Sequence, residues 1–261
     1  MAVRAANMVD IHSHIFWGMD DGSASRESTL AMLRSAWESG TTDIVGTPHR
    51  NADSTPDEEA IARQVDDLNR ATGGEPRVHR GCELHVTYDA IEDALANPRK
   101  YTINGRNYLL LEFAGVIPPR ADDLLARLAD AGMDPIIAHA ERNPTLARKL
   151  DQLELWCRQG AMVQITAKSV EGGFGANAAG AAWQMLSRGL VHFVASDAHD
   201  AEYRPARLDA ARELIRRKLG EDAADLLFTS NPMKVIEGAN AVLVLAPTPP
   251  SRPWWRSLGF R

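Results

Sequence analysis

The chain has 261 residues, 44% of them hydrophobic and 25% charged, which is ordinary for a globular protein long enough to form one large α/β domain. Its formal net charge of -6 argues against nucleic-acid binding, because there is no basic excess to neutralise phosphates. The two cysteines, Cys82 and Cys157, support neither a disulfide framework nor a thiolate zinc site. No apolar run is long enough for a signal peptide or a membrane span. We therefore expect a cytoplasmic protein that is not an integral membrane protein.

Short apolar runs recur along the chain and alternate with helical patterns. Most of these runs are continuously hydrophobic, which is typical of parallel strands buried on both faces. The predicted strands, in chain order, are residues 8–12, 43–47, 78–84, 108–113, 135–140, 161–166 and 191–196.

Helix start and stop signals lie between the predicted strands. One helix is predicted to begin after Ser25 as its N-cap and to end at Gly40. A second has Thr55 as its predicted N-cap, Pro56 at the first helical position and Glu58 completing a capping box. Similar patterns cover residues 120–132 and 181–189.

This alternation predicts a single α/β domain in which a barrel of parallel strands is surrounded by helices. An open doubly wound sheet is the alternative, because strand count alone does not exclude it. We expect the barrel within residues 1–246 and a proline-rich, aromatic and basic tail at 247–261. In that tail, Trp254 and Trp255 either pack on the barrel or dock on a membrane face or a membrane-bound partner.

Histidines and carboxylates follow most of the predicted strands. In a parallel barrel the carboxyl ends of the strands converge on one face, so these side chains are expected to lie together. The sixth strand instead offers Thr166 and Lys168. A single histidine after a strand is more often a loop residue than a ligand, but the whole set points to one site. The set is His12, His14, His49, Glu83, Glu112, His139, Asp197 and His199.

A metal centre explains this set better than separate structural roles do. Glu83 and Glu112 lie inside apolar runs, where an uncompensated charge costs several kcal/mol. Nitrogen and oxygen ligands without thiolates suit two or three divalent ions such as Mn²⁺, Fe²⁺, Zn²⁺ or Mg²⁺. His12 and His14 share one face of an extended strand and are predicted to bind one ion together. Glu83 is the predicted bridge between two ions.

The segments that carry these residues resemble the PHP (polymerase and histidinol phosphatase) superfamily. Within it they resemble the bacterial tyrosine-protein phosphatases of capsule and exopolysaccharide operons, the CpsB/CapC type. The likeness runs from about residue 8 to about residue 240. The matching motifs are DIHSHIFWGMDDG, VGTPHRN, GCELH, LLLEF, AHAERN and ASDAHD.

The resemblance implies a distorted (β/α)7 TIM-like barrel and a trinuclear, usually manganese, centre held by the eight residues above. Family members hydrolyse phosphotyrosine on a partner bacterial tyrosine autokinase and influence polysaccharide export. The expected partner is therefore a phosphotyrosine protein, such as a membrane-associated kinase. The expected reaction is in-line attack on phosphorus by a metal-bound hydroxide.

Further residues are assigned roles around this reaction. Arg142 is the predicted phosphate clamp, since a guanidinium suits bidentate contact with an oxyanion, and the alternative is a salt bridge to Glu141. Arg204 is a second candidate clamp. Asp197 or His199 could protonate the tyrosine leaving oxygen, but a metal ligand cannot freely serve as an acid, so the sequence leaves the acid open.

Three other features bear on the site. Asp20 and Asp21 either orient the first histidines or only shape a turn before Gly22. His85 follows Glu83 by two residues and so could face the same side. The loop AKSVEGGFG replaces a Gly-Ser-Leu-Leu-Gly-like stretch of the family beside the barrel mouth, and it therefore bears on substrate preference.

Other functions are weaker alternatives. A cysteine-dependent phosphatase needs an arginine six residues after its nucleophile, and neither Cys82 nor Cys157 has one. An amidohydrolase usually has a bridging lysine where this chain has Glu112. A vestigial site that only binds the kinase would not need the full ligand set. A phosphatase of the same superfamily acting on a small monoester such as histidinol phosphate is the main alternative, because it would keep every ligand.

Overall fold

The computed structural model of this protein describes residues 7–51, 55, 57–115 and 117–239. The predicted tail at 247–261 lies outside these residues. Nine strands occur in the described part of the chain. They are β1 (Met8–Ser13), β2 (Thr41–Gly46), β3 (His49–Arg50), β4 (Arg77–Arg80), β5 (Glu83–His85), β6 (Tyr108–Glu112), β7 (Asp134–Ile137), β8 (Met162–Thr166) and β9 (Phe193–Ala195).

The strands form a curled parallel sheet whose neighbours follow chain order. β1, β2 and β4 form one sheet, and β3, β5, β6, β7, β8 and β9 form the other, with every pair among the described residues parallel. A doubly wound sheet would reverse its strand order at a switch point, which this order does not do. The predicted parallel α/β fold is confirmed.

Backbone hydrogen bonds connect the segment after β9 to β1. The amide of Asp197 donates to the carbonyl of His12 (2.9 Å), and the amide of His14 donates to the carbonyl of Ala198 (2.7 Å). The first and last strands of the chain are thus held side by side at their carboxyl ends. Candidate ligands that are far apart in sequence become neighbours there.

All seven predicted strands are present, and the third is broken into two. The second ends as β2 at Gly46. After Thr47 and Pro48, where proline has no amide hydrogen for the ladder, the short strand β3 follows beyond the predicted range 43–47. The third breaks at Gly81 and Cys82, and a Cβ on Gly81 would lie 2.8 Å from a side-chain carbon of Val45. Each break lies just before a strand segment that carries a candidate ligand.

Helices follow the strands along the chain, with short helical turns at Ile103–Gly105, Leu146–Arg148 and Leu226–Ser230. In the described residues none of the helices is both long and apolar enough to cross a membrane. They are α1 (Arg26–Glu38), α2 (Glu58–Thr72), α3 (Tyr88–Ala96), α4 (Pro98–Tyr101), α5 (Ala121–Asp130), α6 (Leu150–Arg158), α7 (Ala167–Val170), α8 (Ala176–Ser187), α9 (Asp209–Leu219), α10 (Glu221–Asp225) and α11 (Asn231–Glu237).

Two predicted helix starts have different outcomes. Ser25 is the N-cap of α1, and its side chain accepts a hydrogen bond from the amide of Ser28, as predicted. The prediction that α2 starts with Thr55 as its cap and Pro56 inside it is wrong, because α2 begins at Glu58 with Asp57 as N-cap. The Asp57 carboxylate accepts from the amide of Glu59 at 3.0 Å, and a charged oxygen at this position also complements the helix dipole.

The core lies on both faces of the strands, as their continuous hydrophobicity predicts. On β6, Tyr108 and Leu110 pack in one buried cluster, whereas Leu109 and Leu111 pack in another that includes helix residues. Side chains two residues apart on a strand lie on the same face, so Glu112 lies on the same face as Tyr108 and Leu110. That face is therefore apolar along the strand and changes to polar at its carboxyl end.

We predict that His192 makes the protein less stable in mild acid. Its Nδ1 accepts from the amide of Val163 at 3.1 Å, and burial lowers the pKa of His192 to about 4. As pH falls below the ordinary pKa of 6.5, the unfolded chain takes up a proton at His192 and the folded protein does not. The contribution of His192 to the free energy of unfolding is therefore present above pH 6.5 and is lost toward pH 4. Between pH 8 and pH 4.5 the free energy of unfolding, measured in urea, should fall by about 2.5 kcal/mol less in His192→Asn than in the wild type. An unchanged pH dependence in the variant would contradict this assignment.

Candidate metal centre

The structure brings all eight predicted strand-end residues into one site. They form four overlapping groups in which the potential ligand atoms lie within 4.8 Å of one another. Asp21, which was predicted either to orient the first histidines or only to shape a turn, joins one of these groups and is a further candidate ligand. The groups are His14, Asp21, His49 and His199; His12, Glu83 and His139; His12, His14 and Asp197; and His49, Glu83 and Glu112.

Glu83 lies at the middle of the site and is fully buried. Its Oε2 is 3.3 Å from His12 Nε2, 3.4 Å from His14 Nε2 and 3.0 Å from His49 Nδ1. Its other oxygen, Oε1, is 2.8 Å from Nε2 of His139. One carboxylate thus faces four imidazoles, which is the arrangement that a bridging ligand requires.

Two buried ligand atoms make no hydrogen bond of good geometry within the described part of the chain. They are Oε2 of Glu83 and Nδ1 of His49, which lie 3.0 Å apart. Nε2 of His12 and Nε2 of His14 lie 3.3 Å apart in the same cluster. A buried polar atom without a hydrogen bond costs free energy. Because divalent cations would satisfy these atoms together, the residues fit a metal centre.

The charges of the site compensate one another strongly. Burial opposes ionisation of Glu83, but the charge of His12 and the hydrogen bond and charge of His139 hold the pKa of its carboxyl well below the usual range. Burial likewise opposes protonation of His139, yet the hydrogen bond and charge of Glu83 raise the pKa of that imidazole to about 9. The carboxylate is therefore ionised and requires positive charge around it, which protons or metal ions supply.

The DDG motif supports the two histidines of β1. Oδ2 of Asp20 lies 2.6 Å from Nδ1 of His14 and accepts the amide of His49 at 2.9 Å, so Asp20 fixes the orientation of two candidate ligands. Burial raises the pKa of Asp20, but His14 outweighs it and brings that pKa down to about 2. Gly22 packs against His14, where a Cβ would lie 2.3 Å from the His14 carbonyl oxygen. Asp20 thus has the orienting role, and the close approach at Gly22 requires glycine.

Two further residues, which the sequence analysis did not identify, support the candidate ligands. Gln164 of β8 contacts Nδ1 of His12 at 3.0 Å through Oε1, which also accepts the amide of His139. The Oδ1 of Asp10 accepts the amides of His12 and Ser196, which ties β1 to the end of β9. Each is a polar residue inside an apolar strand, which is the signal that could have found it.

His85 makes a specific contact at the edge of the site. Its Nδ1 lies 3.0 Å from Oε2 of Glu112, and this contact orients the Glu112 carboxylate. The remaining histidines lie elsewhere: His79 pairs with Asp43, and His192 lies before β9.

The two candidate clamps meet at Asp197. Both Arg142 and Arg204 donate to its Oδ2, the latter at 2.6 Å, while its Oδ1 lies 3.4 Å from Nε2 of His12. The alternative salt bridge between Arg142 and Glu141 is not formed, because the buried Oε1 of Glu141 accepts from Ser169 and from the amide of Thr166. Asp197 therefore connects the metal-ligand cluster to two cations.

Two candidate ligands have unusual backbone conformations. His139 has φ of 32° and Asp197 has φ of 52°, in a region that non-glycine residues occupy at a cost of about 1 kcal/mol or more each. The hydrogen bond from Asp197 N to His12 O helps to hold one of them. Such conformations are concentrated at functional sites, where the surrounding structure determines them.

Neither cysteine has the environment of a nucleophile. Cys82 is buried and burial raises the pKa of its thiol, while burial raises that of Cys157 to about 12. Both side chains are thus protonated thiols at neutral pH, whereas a nucleophile must be a thiolate.

The fold and this cluster define a candidate multinuclear metal centre at the carboxyl ends of parallel strands, and comparison with known proteins gives the family. The family model described as "Capsular polysaccharide synthesis, CpsB/CapC" matches residues 8–237. The putative tyrosine-protein phosphatase CapC of Staphylococcus aureus is 36% identical over 206 residues, which cover 77% of this chain and 80% of that protein. The tyrosine-protein phosphatase CpsB of Streptococcus pneumoniae is 33% identical over 239 residues, covering 88% and 98%.

A solved structure agrees with these relatives. It comes from work on YwqE of Bacillus subtilis and CpsB of Streptococcus pneumoniae, described as unique metal-dependent tyrosine phosphatases. It superposes with a TM-score of 0.85 at 30% identity and covers 94% of this chain and all of that chain. This protein belongs to the CpsB/CapC family.

We predict that Asp20→Asn weakens metal binding by about 10- to 100-fold, because the amide is a weaker acceptor and would no longer orient His14 as a carboxylate does. Calorimetric titration of the metal-free protein with Mn²⁺ measures this change. Asp66→Asn, a matched substitution at an exposed position of α2, is the control and should bind as the wild type does. Equal affinity of the Asp20 variant and the wild type would show that Asp20 only shapes the turn.

Proposed function

We propose that this protein is a metal-dependent phosphatase that removes phosphate from tyrosine on a protein, such as a bacterial tyrosine autokinase, and thereby regulates capsular or exopolysaccharide synthesis. The observation that carries this proposal is the position of Asp197, between clustered candidate metal ligands and two arginines. Such a site places cations on more than one side of an oxyanion. The names of the relatives support phosphotyrosine as the substrate.

The fold supports the same proposal. We take the curled parallel sheet to be a distorted (β/α)7 barrel in which β2 with β3, and β4 with β5, each count as one strand. The catalytic domain is proposed to span residues 1–246, followed by the tail at 247–261. The site then lies where barrel enzymes have their active sites, at the carboxyl ends of the strands.

The proposed ligands of two or three divalent ions are the eight strand-end residues, with Mn²⁺ as the proposed metal. Bound divalent ions would polarise the phosphoryl oxygens and lower the pKa of a coordinated water toward neutrality. The chain supplies rigid positions for this chemistry, because Asp20, His85 and Gln164 each contact a proposed ligand. Fixed ligands require little reorganisation when charge develops in the transition state.

Arg142 and Arg204 are proposed to bind the phosphate oxygens of the substrate. Both guanidinium groups contact Asp197, and both side chains are only partly buried, at 30% and 25% exposure, so they remain accessible to a ligand at the mouth. A dianionic phosphate would compete with the carboxylate for their donors. Asp197 would thereby link phosphate binding to the ligand cluster, which is the catalytic role that we propose for it.

Histidinol phosphate remains a weaker second candidate. The ligand set alone would serve any phosphate monoester, so the choice depends on the surroundings of the site. The named tyrosine-protein phosphatases cover most of this chain, which favours phosphotyrosine. Parallel assays with a phosphotyrosine peptide and histidinol phosphate would separate the two substrates.

We predict that the protein loses phosphotyrosine-peptide turnover by at least about 100-fold when its metals are removed, since both the nucleophile and the charge stabilisation depend on them. Phosphate release is measured after chelation and after adding Mn²⁺, Mg²⁺, Zn²⁺ or Fe²⁺ singly, and Mn²⁺ is expected to restore the most activity. Cys82→Ser and Cys157→Ser serve as controls and should turn over at near wild-type rates. Activity that survives chelation, or a Cys82 variant that is folded but inactive, would refute the mechanism.

A further inference from the structure

Phe174 is the aromatic residue that adjoins both arginine clamps. The centroid of its ring lies 4.6 Å from Cζ of Arg142 and 5.8 Å from Cζ of Arg204. The ammonium of Lys168 lies 5.5 Å from the same centroid. These distances are in the range of cation–π contacts. The ring therefore lies beside the groups that are proposed to bind phosphate, and it provides an apolar surface among three cations.

The loop that carries Phe174, between α7 and α8, is attached firmly to the Arg142 segment. The buried Glu141 carboxylate, next to Arg142 in the chain, accepts from Ser169 Oγ at 2.6 Å and from Thr166 N at 3.0 Å, and these two residues flank the start of α7. Burial raises the pKa of Glu141, while the hydrogen bonds oppose that rise. Through these bonds Glu141 fixes the position of the loop relative to Arg142.

Backbone contacts fix the end of the loop as well. The amide of Gly173 donates to the carbonyl of Lys168 (2.8 Å), and that of Gly175 donates to the carbonyl of Gly172 (3.0 Å). Gly173 packs directly on the Lys168 side chain, since a Cβ there would lie 2.6 Å from Lys168 Cγ. The Lys168 ammonium in turn donates to the carbonyl of Tyr203, in the segment that leads to Arg204. The backbone on both sides of Phe174 is thus hydrogen-bonded within the loop.

Open clefts lie on both sides of the Phe174 ring. The cleft on the Arg142 side has a volume of about 750 Å³, and the cleft on the Arg204 side has a volume of about 410 Å³. Phe174 lines both of them. A leaving group that enters either cleft from a phosphate held by the two arginines would lie beside this ring.

We propose that Phe174 selects aryl over alkyl phosphate monoesters by contacting the ring of the leaving group while Arg142 and Arg204 bind the phosphate. This inference rests on the proposed phosphatase function. Aromatic rings attract one another beyond the burial of area, by an amount that corresponds to roughly 3- to 10-fold in affinity. Phenyl and cyclohexyl groups have similar size, so a preference between them reports the aromatic contact rather than bulk.

The test measures binding of phenylphosphonate, cyclohexylphosphonate and inorganic phosphate to the Mn²⁺-loaded protein by calorimetry. We expect the wild type to bind phenylphosphonate roughly 3- to 10-fold more tightly than cyclohexylphosphonate. Phe174→Leu keeps an apolar side chain of moderate size, and it should lose this preference while its affinity for inorganic phosphate stays within about twofold. Melting temperature and metal content confirm that the variant is folded and loaded.

Tyr88→Leu is the matched control, because Tyr88 is an exposed aromatic residue that lines neither cleft. It should keep the aryl preference. Retained preference in the Phe174 variant would overturn the inference. An equal loss of affinity for all three ligands would also overturn it, because Phe174 would then only position the arginines, and so would an equal loss of preference in the Tyr88 variant. If the wild type shows the aryl preference but does not hydrolyse phosphotyrosine, the proposed function is refuted, whereas the role of Phe174 in binding aryl groups stands.

Discussion

The buried carboxylate of Glu83 is the constraint on which the rest of the site depends. A fully buried carboxylate is stable only when positive charge compensates it, and here four imidazoles face its two oxygens. The imidazoles themselves then need orientation, which Asp20 and Gln164 provide from outside the cluster. The charges of the site therefore depend on one another. Divalent ions would satisfy them more completely than protons, because the ions would also coordinate the ligand atoms that make no hydrogen bond of good geometry.

The fold serves this cluster by bringing strand ends together. Parallel pairing in chain order places residues that are far apart in sequence at one edge. The backbone hydrogen bonds from Asp197 to His12 and from His14 to Ala198 complete the arrangement at the first and last strands. The same short segments then continue into the substrate side of the site. Asp197 contacts the arginines with one oxygen and faces the imidazoles with the other, and Glu141 fixes the Phe174 loop beside Arg142. The proposed metal ligands and the proposed substrate-binding residues thus belong to one connected frame.

The sequence predicted the parallel α/β fold and the grouping of the eight strand-end residues because both follow from local patterns. Continuous apolar runs indicate buried strands, and polar residues at their carboxyl ends must converge. The partners of the charged side chains could not be predicted in the same way. The sequence suggests a salt bridge between Arg142 and its neighbour Glu141 as an alternative to phosphate binding. In the structure Arg142 contacts Asp197, 55 positions away, because the partner of a charged side chain depends on how the loops pack. Gln164 is recognisable as an amide inside an apolar strand, but that pattern does not identify the histidine that it contacts. The breaks at Pro48 and Gly81 have signals in the sequence, but those signals do not fix how the strand resumes.

The central claim is that the strand-end cluster binds divalent metal ions. Anomalous diffraction from crystals grown with Mn²⁺, recorded on both sides of the manganese absorption edge, tests it most directly. The account predicts that the strongest manganese-specific peaks lie among the side chains around Glu83 and Asp197, with at least two peaks bridged or flanked by these carboxylates. Peaks located only elsewhere on the protein, or none in crystals of protein that is active with Mn²⁺, would contradict it.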